Sequence, residues 1–199
     1  MKNRSKALLL ALCALMLVVT TVFTTLAYLT DDATITNTFT IGNVTIKLTE
    51  TKTNEYGVAV DPEVILDADT DEGNEYKLIP GANYLKNPTI TVKEKSEPSY
   101  VFVKVENGIA GIEADGATKI ETQILANGWT AVDGQPGVYV QENVDARNAD
   151  QPLPVFSTVK LATNANVAGY ADAEITITAY AIQAEGVVDV ATAWAALNA

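Results

Sequence analysis

The chain has 199 residues, a formal net charge of −12, one cysteine and no histidine. Without histidine, Ser-His and Cys-His nucleophile pairs, the usual imidazole base and an HExxH zinc site are all excluded. The acidic balance repels nucleic acid and anionic lipid, and the length suits one domain with its own core.

The chain opens "MKNRSKALLLALCALMLVVTTVF", with Lys2, Arg4 and Lys6 ahead of a run from Ala7 to Phe23 that carries no charge. This is the charge layout of a secretory signal peptide. Thr25-Leu26-Ala27 then supplies the small residues that a signal peptidase requires, which places the cut between Ala27 and Tyr28. The rival reading is an uncleaved anchor, since the apolar run reaches the lower limit for crossing a bilayer. Cys13 follows Leu12 rather than a small residue, so it reads as signal-peptide filler and not as a lipoprotein cysteine. The expected organisation is residues 1–27 as signal peptide and residues 28–199 as a single β-sandwich domain. That domain has no cysteine for disulfide or thiol chemistry.

From Thr34 onward the dominant period is two. "NTFTIGNVTIKLTET" alternates polar and apolar residues, with Phe39 and Ile41 before a Gly42-Asn43 break and Val44, Ile46 and Leu48 after it. "NPTITVKEKSEPSYVFVKVENG" predicts two strands, one turning Ile90 and Val92 inward and the next Val101, Val103 and Val105. Lys93, Lys95, Lys104 and Glu106 then face water. "ADGATKIETQILANGW" breaks the period: Ile120, Ile124 and Leu125 fall at helical spacing and Asn127-Gly128 supplies a stop, predicting a short crossing helix. "GVYVQ", "PVFSTVKLAT" and "DAEITITAYAIQ" predict further strands. The tail "DVATAWAALNA" predicts a short amphipathic helix through Val190, Trp194 and Leu197. The expected fold is therefore all-β, an antiparallel sandwich with one wet face per sheet, one short crossing helix and a short C-terminal helix.

Candidate chemistry is sparse. No spacing singles out a catalytic group, and the glycines fall at turns without forming a phosphate-cradling loop. In "DPEVILDADTDEGNE", Asp67, Asp69 and Asp71 alternate, with Glu72 and Glu75 following, a pattern from which calcium could draw oxygens. Against an EF-hand loop, Gly73 comes one place late and the closing glutamate position holds Leu78, so that motif is rejected. A solvated acidic loop between strands is the preferred reading, with no catalytic, cofactor or metal residues assigned. Trp129 and Trp194 read as core residues rather than as a sugar platform.

The order of these features resembles the TasA and camelysin family of secreted proteins of Gram-positive bacteria. The resemblance rests on "TLAYLTDDATITNTFTIGNVTIKLTE", on "KLIPGANYLKNPTITVKEKSEPSYVFVKVE" and on the late "EITITAYAIQ". Ala27, Tyr28, Asp31, Asp32, Thr38, Phe39, Gly42, Val44 and Ile46 match the N-terminal pattern; the stretch from Gly108 to Pro154 matches nothing specific. The resemblance implies cleavage by a SipW-type signal peptidase, a jelly-roll-like sandwich, and polymerisation into fibres of the biofilm matrix. In such fibres the freed N-terminal segment of one subunit adds a strand to the next. Here the donor strand would be residues 28–41, with Leu29, Ile35, Phe39 and Ile41 as its plugs. The implied partners are further copies of the chain, the signal peptidase and an accessory fibre protein, with membrane contact only through the uncut signal peptide. Camelysin relatives also carry a metallopeptidase label, but this chain has no imidazole, and Cys13 lies in the signal peptide, so zinc would have only carboxylates. The expected activity is thus structural and extracellular rather than enzymatic. A monomeric surface module that binds a cation or a carbohydrate is the alternative.

Overall fold

Threonine alternating with aliphatic side chains gives short antiparallel strands in the computed structural model, which describes residues 43–198. In chain order they are β1 (Ile46–Thr51), β2 (Ile65–Asp67), β3 (Asn83–Leu85), β4 (Thr89–Val92), β5 (Ser99–Asn107), β6 (Thr130–Ala131), β7 (Val138–Val144), β8 (Gln151–Pro154), β9 (Thr158–Lys160) and β10 (Ile175–Gln183). Two α-helices, α1 (Ile120–Ala126) and α2 (Val190–Leu197), and two short 3-10 turns, Ala110–Ile112 and Val167–Gly169, complete the regular structure among the described residues. One four-stranded sheet has the order β2-β1-β4-β8, the other β10-β5-β7-β6, and β3 pairs with β9 as a separate ribbon. Every pairing is antiparallel.

The two four-stranded sheets feed one apolar cluster. Ile90 and Val92 of β4 and Leu153 of β8 meet Val101, Val103 and Val105 of β5, with Phe156, Val159 and Leu161 filling in from the chain around β9. "EKSEPS" is the connection that carries the chain from the first sheet to the second, and Ser96 within it accepts a hydrogen bond from the Thr45 N–H at 3.1 Å. The alternation predicted for Val44, Ile46 and Leu48 is present, all three packing on this cluster.

The expectation of one wet face per sheet fails for the second sheet. Tyr100 and Phe102, on the opposite face of β5, are buried as well, together with Val138 and Val140 of β7. Helix α2 covers that face: Ala193 is fully buried there, and the Trp194 ring lies 5.3 Å from Phe102 and 5.5 Å from Tyr180, the latter edge-on. A strand reading "YVFV" has no polar alternate to offer water, so it requires cover on both sides. Asp189 caps the helix, its carboxylate accepting from the Thr192 N–H at 2.7 Å.

Helix α1 starts at Ile120, as its spacing predicts, and stops where Gly128 takes φ +86°. Its side chain at Lys119 offers no cap. Glu113 supplies one instead, accepting from the Ile120 N–H at 2.9 Å while Asn107 Nδ2 donates to its other oxygen at 2.7 Å. Burial pushes the Glu113 carboxyl above the ordinary range, against the pull of those two donors. Ile120 and Ile124 face the core, but Leu125 is exposed, contrary to its grouping with them, because the i+5 position points away from a face defined by i and i+4. Gln123 Nε2 ties the helix to β9 by donating to the Thr158 carbonyl at 2.8 Å.

Candidate assembly face

Open sheet edges template further pairing unless something blunts them. The first sheet ends on one side in β8, whose "QPLP" carries two prolines, residues that cannot donate to a ladder. Its other end is β2, three residues long. In the second sheet β6 has two residues. Strand β10 differs: nine residues, "ITITAYAIQ", pair with β5 on one side and, among the described residues, with no strand on the other. It contains neither charge nor proline.

Beside this edge runs a groove of about 850 Å³ between the two sheets, walled by Leu48 of β1, Leu66 of β2, and Ile175 and Ile177 of β10, with Tyr76, Leu78 and Ile109 along it. These side chains are largely only half-buried, so the groove exposes apolar surface that a strand would cover. Ile175, Ile177, Ala179 and Ala181 face the shared core side of β10, while Tyr180 and Ile182 face α2. The "LIPG" segment is held at the groove by Tyr84, whose hydroxyl accepts from the Ile79 N–H at 2.7 Å and donates to the Lys77 carbonyl at 2.6 Å. Gly57 must be glycine: at φ +72° a Cβ there would sit 2.5 Å from the Tyr84 Cα.

The acidic stretch borders the groove, with several of its carboxylates engaged within the chain. Part of it is strand rather than loop, since Leu66 of β2 is buried and Asp67 pairs in register with Thr49. Lys47 Nζ lies 2.8 Å from Asp67 Oδ2, Asp67 Oδ1 accepts from the Asp69 N–H, and Asp71 Oδ2 accepts from the Asp67 N–H at 2.9 Å. The hydrogen bond from Lys47 draws the Asp67 carboxyl below the usual carboxylate range. Among the described residues no group of three or more acidic, histidine or cysteine side chains is placed to hold a metal. Millimolar calcium is therefore expected to leave the melting temperature unchanged. A calcium-dependent rise, followed by differential scanning calorimetry, is the outcome that would restore a cation site.

Deeper in the groove lies a polar constellation that no local spacing announces. Lys86 Nζ is 2.7 Å from Glu50 Oε2, and Asn74 Nδ2 donates to Glu50 Oε1. Thr51 and Asn87 adjoin them, the Thr51 N–H donating to Asn87 Oδ1 at 2.9 Å. Burial pushes the neighbouring Tyr76 hydroxyl up to about 12.

The sequence-predicted functional residues, Ala27 and Tyr28 at the cut and Leu29, Ile35, Phe39 and Ile41 on the donor strand, lie outside the described residues. What sequence reading missed is the open edge of β10. Its signal was present in "ITITAYAIQ", a nine-residue strand lacking the lysine or proline that protects an edge. No family model, curated protein or solved structure matches the chain.

Proposed function

We propose that the chain is a secreted, non-enzymatic structural subunit that assembles into extracellular or cell-surface fibres by strand addition. The observation that carries this reading is the unprotected β10 edge beside an apolar groove. In this reading the two sheets form a jelly-roll-like sandwich, and residues 28–41 of one copy, freed by cleavage after Ala27, lie along β10 of the next. Main-chain hydrogen bonds would supply the strength, and Leu29, Ile35, Phe39 and Ile41 would fill the groove at alternate positions. Donor and acceptor are different segments of the chain, so the contact is head-to-tail and generates filaments rather than a closed ring. The resemblance to the TasA and camelysin family supports the same reading, as does the N-terminal charge pattern for export.

Negative-stain electron microscopy of the chain beginning at Tyr28, beside one beginning at residue 42, tests it. Filaments are expected in the first sample and only monomers in the second. Filaments from both would remove the donor role of residues 28–41, and monomers in both would favour a stand-alone surface module.

A further inference from the structure

Glu50, Lys86 and Asn74 come from β1, from the chain just after β3, and from the exit of the acidic stretch, and they converge on one carboxylate. Lys86 is a buried lysine, and the side chains of Lys86 and Glu50 are only 10% and 13% exposed. The Tyr76 ring centroid lies 6.0 Å from Lys86 Nζ. An ion pair alone would need two of these residues. The third is an amide held by its own backbone contacts: Asn74 Oδ1 accepts from the Thr53 N–H at 2.7 Å, and Nδ2 donates to the Thr51 carbonyl at 2.9 Å. Those contacts fix the orientation of the amide, since a flip would set its NH2 against an N–H and its oxygen against a carbonyl. The nitrogen that would leave in an acyl transfer is thereby placed on the same carboxylate that holds the lysine amine.

We propose that Lys86 and Asn74 form an intramolecular isopeptide bond, with Glu50 as the proton relay. Glu50 Oε2 takes a proton from the Lys86 ammonium, and the freed Nζ lone pair attacks Asn74 Cγ. Charge developing on Oδ1 is met by the Thr53 N–H, a backbone donor already in place. Glu50 relays protons from Nζ to Nδ2, the Cγ–Nδ2 bond breaks, and the nitrogen departs as ammonium. One C–N bond forms and one breaks, Glu50 ends as the carboxylate it began as, and no oxidant or co-reactant enters. Holding amine and amide on one carboxylate supplies the proximity that a free lysine lacks. Asn87 is not the acceptor, because its amide meets Thr51, with Oδ1 on the N–H and Nδ2 on Oγ1 at 3.0 Å, rather than the Glu50 carboxylate that holds the lysine. The bond would tie the exit of the acidic stretch to the chain after β3 at the groove floor, a covalent tie in a chain whose single cysteine, Cys13, precludes an intramolecular disulfide. It is independent of the fibre reading.

Mass spectrometry of the purified, denatured full chain tests it. The expected result is a mass lower than the sequence mass by one ammonia, and a tryptic species in which the Lys86 and Asn74 peptides are joined. Glu50→Gln and Lys86→Arg, each checked for folding by circular dichroism, are expected to restore the full mass and release the two peptides separately. A full mass with separate peptides in the native chain overturns the proposal. So does an ammonia loss that persists in Lys86→Arg, which would mark succinimide formation at an asparagine.

Discussion

Phe102→Ala is expected to lower the free energy of unfolding by about 3–5 kcal/mol, the range for deleting a fully buried aromatic side chain. Phe102 has no exposed surface and stands where β5 meets α2, stacked with Tyr100 at 6.5 Å and tilted against Trp194 at 5.3 Å. Its removal opens a cavity that Val138, Val140 and Ala193 cannot collapse into without moving the helix off the sheet. Urea denaturation followed by tryptophan fluorescence measures the loss, the signal coming from Trp194 on this face together with Trp129 in the core. Trp194→Ala is expected to cost less, because Trp194 is only partly buried, and the double variant should show coupling, since the two rings touch. Full additivity would mean that α2 does not pack on this face as described.

Ile177→Lys is expected to abolish filaments while leaving the monomer folded. Ile177 pairs in register with Val105 and lines the groove, half-buried, at the centre of the shared-core face of β10. A lysine there can extend its stem along the groove and hold its ammonium at the opening, so the isolated subunit tolerates it. An incoming strand would have to bury that charge in an apolar channel, which is prohibitive without a partner. Edge lysines pointing inward are a recognised means by which sheets resist unwanted pairing. Size-exclusion chromatography and microscopy at concentrations where the unmodified chain is expected to polymerise give the comparison. Normal filaments from the variant would place the acceptor elsewhere.

Much of this architecture is legible in the sequence, because a threonine at every second place leaves the intervening residue little choice of face. β1, β4 and β10 follow from that alternation, β7 follows from the apolar and aromatic residues of "GVYVQ", and both helices follow from their i, i+4 spacing, the first also from its Asn127-Gly128 stop. Continuous apolarity was harder to interpret. "YVFV" marks a strand covered on both sides, yet choosing Val101 and Val103 as the inward set hides the second cluster that Tyr100 and Phe102 build with α2. Only half of the β3–β9 ribbon shows in the periodicity: "PVFSTVKLAT" marks β9, whereas the three residues of β3 make little more than one alternation, and the pairing of Tyr84 with Val159 joins segments far apart in the chain. The Glu50–Lys86–Asn74 constellation is hidden for a different reason. Its members are brought together by sheet pairing and a turn, and no short motif holds them at fixed spacing.

The most direct test of strand addition separates donor from acceptor. A chain beginning at residue 42 is mixed with a synthetic peptide of residues 28–41, and binding is followed by isothermal calorimetry and by the melting temperature. Saturable binding with one peptide per chain is expected, with a melting temperature that rises with peptide concentration and a loss of both effects in Ile177→Lys. A melting temperature unmoved at every peptide concentration, with no heat of binding, would contradict strand addition at β10.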